Sequence, residues 1–450
     1  LGLNAVIAQV RPTADAFWPS RFEPWSMYLT GTQALTRLPM LQHQRDQARG
    51  LNTGGFISGY RGSPLGGLDK SLWEARDYLK QHAIHFQPGV NEELAATAVW
   101  GSQQTNLFPG ARYDGVFAMW YGKGPGVDRA GDVFKHANAA GVSPKGGVLL
   151  LAGDDHGCKS STLPHQSEHA FIAASIPVLN PANVQEILDY GIIGWELSRY
   201  SGCWVALKTI AENVDSSAVV EVDPLRVQTR IPEDFELPED GVHIRWPDPP
   251  LAQEKRLNLY KIYAARAFAR ANNLNRVMLD SPNPRLGIIT TGKSYLDVRQ
   301  ALDDLGLDEA LCASVGLRVL KVGMSWPLEP VSVHQFAEGL DEILVVEEKR
   351  SIIEDQLTGQ LYNWPVGKRP RVVGEFDEQG NSLLPNLSEL TPAMIARVIA
   401  KRLAPIYTSD SIQTRLAFLD AKEKALAARS YSTVRTPHYC SGCPHNTSTK

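Results

Sequence analysis

The sequence predicts an α/β chain built from two successive units, each with a mainly parallel sheet. From residue 52 short apolar runs alternate with helical patterns, and the alternation restarts near Arg285. Strands that alternate with helices are joined by crossovers, which gives a parallel sheet covered on both faces. In addition, each early strand feeds a Gly-rich or charged loop, and in open α/β sheets ligands bind outside the carboxyl ends of the strands.

The elements are expected in the following order. Residues 1–26 are rich in Trp, Phe, Pro and Arg without period and read as an irregular arm. Met27–Leu35 opens a helix capped near Thr30 or Thr32. Strands are expected at Gly54–Ser58, 84–87, Gly115–Trp120, Gly147–Ala152 and Cys203–Thr209. Helices are expected at Gly66–Leu79, 92–104, Val127–Ala139, Glu168–Ala174 and 183–200. Residues 222–250, rich in Pro and acidic side chains, leave the first unit, and Leu251–Asn272 is a basic amphipathic packing strut. The second unit has strands at Leu286–Thr290, Val319–Val322 and Glu342–Val346, with helices at Tyr295–Leu305, Val331–Glu338 and Ile352–Tyr362. Two further helices lie near Thr391–Arg402 and Ile412–Arg429.

Composition excludes several functions. The chain has 450 residues, 43 % apolar and 21 % charged, with a net charge of −4. That is enough core for two or three domains and no electrostatic case for nucleic acid or an anionic membrane surface. No run approaches the roughly 18–20 apolar residues of a membrane span. Residues 1–10 lack a basic n-region and a cleavage site. Five cysteines over this length point to a reducing cytoplasm and not to a disulfide framework. Neither Leu1 nor Lys450 reads as a natural terminus, so a fragment is expected.

Four loops should converge on one site. The first is Gly59-Tyr60-Arg61-Gly62-Ser63-Pro64-Leu65-Gly66-Gly67. The second ends on Asn91-Glu92, where Asn91 is a plausible N-cap and Glu92 and Glu93 suit the positive first turn. The helix behind them, Leu94–Gly101, is small or apolar on every face, so it is buried or packs on another subunit. A carboxylate at its mouth sits in low dielectric and can hold or pass a proton. The third loop, Tyr121–Arg129, looks like a dinucleotide loop, but Pro125 removes an amide that would cradle phosphate. In the fourth, residues 153–169, His165 and His169 have the spacing of a metal pair. No third ligand stands at fixed spacing, and a polar loop at a helix start explains them. Gly287–Ser294 matches the P-loop expression letter for letter, yet Ile288–Thr291 reads as strand where a loop is required, which argues against nucleotide. Finally, Cys440 and Cys443 can share a metal or cluster, or form a redox dithiol.

Taken together, Asn91-Glu92 before a small-residue helix, the turn around Ser63, the loops near Lys123 and Ser160-Ser161, and Cys440-Ser441-Gly442-Cys443-Pro444-His445 resemble a known family. It is the thiamine-diphosphate-dependent 2-oxoacid:ferredoxin oxidoreductases, most nearly indolepyruvate ferredoxin oxidoreductase, over about residues 27–450. The resemblance implies a pyrimidine-binding thiamine domain at 27–245 and a linker with a helix at 246–284. It implies a domain similar to the transketolase C-terminal domain at 285–380, a helical connection at 381–434, and the start of a diphosphate-binding domain at 435–450. Glu92 would hydrogen-bond N1′ of the aminopyrimidine. Ser160, Ser161 and Gln166 would border the cofactor, Ser63 and Lys123 the substrate, and Cys440 and Cys443 would supply part of a [4Fe–4S] site. Arg61 stands where the family pattern has Pro, and His156 and His165 also depart from it.

The activity implied is oxidative decarboxylation of a 2-oxo acid, an aryl pyruvate such as indolepyruvate favoured. The product would be an acyl-CoA, with CoA as co-substrate and electrons passed to ferredoxin. The G-D-G…N motif for diphosphate and Mg²⁺ is not in this sequence. These 450 residues are therefore expected to be inactive alone and to need further C-terminal domains or another subunit, in a homodimer or multidomain assembly. Two alternatives stay open: a thiamine-dependent lyase or transferase without ferredoxin, and a non-catalytic regulatory module of the same fold. The terminal Cys pair speaks against the first and Glu92 against the second.

Overall fold

The computed structural model describes residues 25–428 apart from Thr162. Nearly all of the N-terminal arm, and the segment carrying Cys440 and Cys443, lie outside the described residues.

The strands are β1 (Ser26–Thr30), β2 (Thr53–Gly59), β3 (Ile84–Phe86), β4 (Gly115–Lys123), β5 (Val148–Asp154), β6 (Val178–Leu179) and β7 (Val205–Ile210). They continue with β8 (Ser217–Glu221), β9 (Asn275–Leu279), β10 (Leu286–Thr291), β11 (Leu317–Val322), β12 (Met324–Trp326), β13 (Glu342–Val346) and β14 (Arg371–Val373). One sheet has seven strands in the order β12-β6-β7-β5-β4-β2-β3, and a second has five in the order β14-β13-β10-β11-β9. In both, all strands run parallel except one at an edge: β12 opposes β6 and β9 opposes β11. An antiparallel ribbon of β1 and β8 stands apart. The α/β class with parallel sheets is what the alternation of elements required.

The central strands β5 and β7 are buried along their whole length and β4 along most of it, as continuous apolar runs dictate for a sheet covered on both sides. Side chains divide with period two. Phe117, Met119, Leu149, Leu151 and Leu207 face the helices Gly31–Ala48 and Val184–Ser201. Ala118, Trp120, Leu150 and Ala206 face the helices Glu92–Gln103 and Gly131–Ala140. The first long helix starts at Gly31 with Thr30 as N-cap, in a capping box with Gln33.

Several elements differ from expectation. The helix expected at Gly66–Leu79 breaks at Ala75, and that at Val127–Ala139 breaks at Ala130. Strands β1, β6, β8, β9, β12 and β14, each two to five residues long, escaped the sequence reading. The strut after residue 249 is interrupted by a π-helical turn, Leu257–Lys261. The fully buried Lys261 ammonium there donates to the carbonyls of Asn138 and Ala139 (both 3.0 Å), capping the helix that ends at Ala140. Residues Ile288–Thr291 are indeed strand, and a helix begins directly at Gly292.

Strand order places the site. The chain steps from β2 outward to β3, then crosses back to β4 on the other side of β2. This reversal opens a crevice at the carboxyl ends of β2 and β4. At the opposite, amino-terminal edge of the sheet Asp46 is fully buried and accepts two hydrogen bonds from Arg199 (2.7 Å each), one from Thr53 Oγ1 (2.8 Å) and one from Gln42 (2.9 Å). Those partners join two helices to β2. Asp46→Ala removes the bidentate partner of the mostly buried Arg199 guanidinium and should destabilise by about 3 kcal/mol. Urea unfolding would show this as a lower midpoint with unchanged slope, and an unaltered midpoint would remove Asp46 from this role.

Candidate active site

All four loops meet at the crevice. The first and third run side by side, with Tyr60 N–H donating to the Tyr121 carbonyl (3.0 Å). The Gly89 N–H of the second donates to Gly59 of the first (2.8 Å). Pro64 and Leu65 pack on Gly153 at the start of the fourth.

Glu92 is the first residue of the helix Glu92–Gln103, and Asn91 caps it by accepting from Leu94 N–H (2.9 Å). Trp120 Nε1 donates to the Glu92 carbonyl (3.0 Å), fixing the backbone beneath β4. The side chain lies flat over Gly126: a Cβ there would stand 2.4 Å from Glu92 Cγ and 2.8 Å from Oε1. The half-buried carboxylate bonds to none of the described residues. Its helix corrects the expectation of all-round burial. Ala95, Ala96 and Val99 pack on the sheet, but Glu93, Leu94, Thr97, Ala98 and Gly101 are exposed. Small residues carry too little hydropathy contrast to reveal which face is buried.

The fourth loop is shaped by Asp155. Its carboxylate accepts from the N–H groups of Lys159 and Ser160 (2.8 Å each) and from the hydroxyls of Ser160 (3.2 Å) and Ser161 (2.8 Å). Burial pushes the Asp155 carboxyl up, but these donors hold it below the usual range. Ser160 and Ser161 thus turn their hydroxyls inward to the loop. Lys123 donates to the Ser160 carbonyl (2.8 Å), and burial lowers its ammonium pKa against the pull of Asp155. Ser63 is exposed on the first loop. Gln166 points away from the crevice and exchanges two bonds with the Arg350 backbone (2.9 and 3.2 Å) in the second unit.

The structure adds His165. Its Nε2–H donates to Asp128 Oδ2 (2.7 Å) and its Nδ1–H to Asp154 Oδ1 (3.3 Å). Asp154, fully buried at the end of β5, also accepts from Ser167 N–H (2.9 Å) and Ser167 Oγ (2.5 Å). Burial opposes the charge on His165, but the Asp154 and Asp128 carboxylates push its pKa up to about 9. The ring packs on Gly124, where a Cβ would stand 2.2 Å from Cγ. Gly124 and Gly126, two residues apart, therefore carry an imidazolium and a carboxylate on one turn. With both nitrogens taken by carboxylates, His165 is a charge clamp rather than a metal ligand. The spacing to His169 hid this, because Asp128 is distant in sequence.

Comparisons with known proteins agree with this architecture. The family model of the indolepyruvate ferredoxin oxidoreductase middle domain matches residues 275–429. The indolepyruvate oxidoreductase subunit IorA of Methanothermobacter marburgensis is 28 % identical over 392 residues, 87 % of this chain and 56 % of that protein. IorA of Pyrococcus abyssi is 27 % identical over 396 residues, 87 % of this chain and 55 % of that protein. The chain thus spans about half the length of the curated relatives it matches. Among solved structures, 2-oxoglutarate:ferredoxin oxidoreductase from Magnetococcus marinus has a TM-score of 0.61 at 16 % identity, covering 85 % of this chain and 66 % of that one. These likenesses bear out the resemblance to the thiamine-diphosphate-dependent 2-oxoacid:ferredoxin oxidoreductases, and the last of them bears out the fold.

The clamp at His165 predicts a pH dependence. Its folded pKa of about 9 lies above the ordinary 6.5, so its stabilisation is complete below about pH 6.5 and is lost as pH rises through about 9. The thermal unfolding temperature should fall over pH 7–10, and His165→Gln should flatten that fall. An equally steep fall in the variant would contradict the assignment.

Proposed function

We propose that this chain forms the pyrimidine side of a thiamine diphosphate site in a 2-oxoacid:ferredoxin oxidoreductase, acting on indolepyruvate or a related aryl pyruvate. The observation that carries the proposal is the Glu92 carboxylate: half-buried, set at the strand-order reversal, and without a bond to any described residue. A carboxyl free to share a proton suits a ring nitrogen. When bound, thiamine diphosphate supplies the electron sink for decarboxylation, which no side chain offers. The protein's own groups then have separate tasks. Glu92 holds a proton at its carboxyl and orients the aminopyrimidine. Gly126 gives Glu92 room to lie flat. Lys123 offers its ammonium to a 2-oxo acid carboxylate, and the His165 clamp holds the loops around it in place. Ser63 offers a hydroxyl at the rim, and Asp155 fixes the loop through Ser160 and Ser161. Gln166 acts from behind, through the second unit.

On this reading residues 27–245 are the pyrimidine-binding domain and 285–380 the transketolase C-terminal-like domain. Mg²⁺ and the diphosphate are held by further domains or another subunit. Cys440 and Cys443 would be among the residues holding a [4Fe–4S] cluster, which would supply a route for electrons to ferredoxin; CoA would be the acyl acceptor, and the enzyme would work in the cytoplasm as a dimer. The exposed small-residue face of the Glu92 helix suits a second subunit. Among the described residues no helix is long and apolar enough to cross a membrane.

In the full-length protein Glu92→Gln should lower turnover of a 2-oxo acid about 10²–10⁴-fold, the scale of general acid–base groups. The exposed neighbour tests specificity: Glu93→Gln should be mild. Near wild-type turnover of the Glu92 variant, read as dye or ferredoxin reduction, would sink the proposal.

A further inference from the structure

The two units share a buried polar seam away from the crevice. Strand β12, from the second unit's chain, is the edge strand of the first sheet, and Asn180 N–H donates to the Gly323 carbonyl beside it (3.0 Å). Next to this junction lies a cavity of about 10 Å³, whose lining includes His156, Glu168 and Lys208 of the first unit and Ser294 of the second, with the charges of Lys293, Glu347 and Glu348 also at its wall. The first four are buried, with exposures of 3 %, 4 %, 3 % and 1 %. His156 Nε2, Glu168 Oε2 and Ser294 Oγ have no hydrogen-bond partner among the described residues. Lys208 makes one close bond, to Glu168 Oε1 (2.5 Å), and has further N–H donors in hand.

Unmet groups this deeply buried are costly, so a ligand that meets them is expected. Its chemistry follows by elimination. The volume admits about one water-sized species. A cation would sit against the Lys208 ammonium and an anion against the Glu168 carboxylate. The site offers spare donors and spare acceptors together, and water supplies both. The lysine of the P-loop-like stretch is already occupied: Lys293 donates to Asp297 (2.6 Å), the Leu390 carbonyl (2.9 Å) and Glu348 (3.2 Å), leaving nothing for a phosphate.

We infer that one structural water sits in this cavity, bound by His156, Glu168, Lys208 and Ser294, and ties the loop of residues 153–169 to the second unit. Gly292-Lys293-Ser294 thereby acts as a water-holding helix start. The water positions the loop that carries Ser160 and Ser161, with no contact to the reacting atoms. This inference stands whether or not the proposed activity does.

A crystal structure of the intact protein at about 1.8 Å should show a single peak within 2.7–3.2 Å of at least three of the four atoms. No peak, or a peak with bromide anomalous signal after a bromide soak, would overturn the inference. Two variants give a solution test. Ser294→Val fills the cavity and expels the water, so the amides of 153–169 should exchange about tenfold faster. Ser294→Ala leaves the space and should show a smaller effect. A valine variant as slow to exchange as wild type, or slower, would mean that the cavity is dry. If a variant fails to fold, the crystallographic peak in the wild-type protein decides alone.

Discussion

Much of the site depends on the burial of one carboxylate. Asp154 ends β5 with no exposure, and an isolated charge there would cost several kcal/mol. It is kept ionised because burial is outweighed by His165 and Lys208, with Ser167 adding two hydrogen bonds. Each partner comes from a different segment. Ser167 and His165 bend the fourth loop back over the strand end. Through His165 the constraint reaches Asp128, and so the helix that carries Gly124 and Gly126. Lys208 brings in β7 and, through its bond to Glu168, the helix that follows the loop. One buried charge thus fixes three of the walls around the crevice.

Close approach is the second constraint. The Gly-x-Gly-x-Gly of the third loop resembles a phosphate cradle in sequence, but in the structure two of its glycines serve side chains. Gly124 admits the His165 ring and Gly126 admits Glu92. Glycine is required in both cases because a second chain segment occupies the Cβ position. The same motif therefore arises from two physical causes, and only the fold distinguishes them.

That difference describes what the sequence could reveal. Strand β5, Val-Leu-Leu-Leu-Ala-Gly-Asp, announces itself because a fully buried strand must be apolar throughout. Convergence of the loops also followed from the sequence, since strand–helix alternation and the rule for strand ends suffice. The helix start at Glu92 was legible because an N-cap before it is a local pattern. Side-chain direction was not. Ser160 and Ser161 turn to Asp155, and Gln166 to the Arg350 backbone, because those acceptors and donors come together only after the loop closes. The two-residue β6 and three-residue β12 were unreadable for a related reason: β6 is a strand through its pairing with β7 and β12, and β12 through its pairing with β6.

Their pairing makes the two units interdependent. The edge of the first sheet is completed by chain from the second, so the row of backbone groups that β6 would otherwise present is paired. The fourth loop is fastened across the same boundary by Gln166 on Arg350 and by Lys159, which pairs with Glu212 (3.0 Å) on one side and Glu389 (3.1 Å) on the other. Neither contact touches the crevice. Each fixes a segment whose other end does. The second unit can therefore govern the geometry around Glu92 without placing a side chain beside it, because a loop anchored at two points has few conformations left to it.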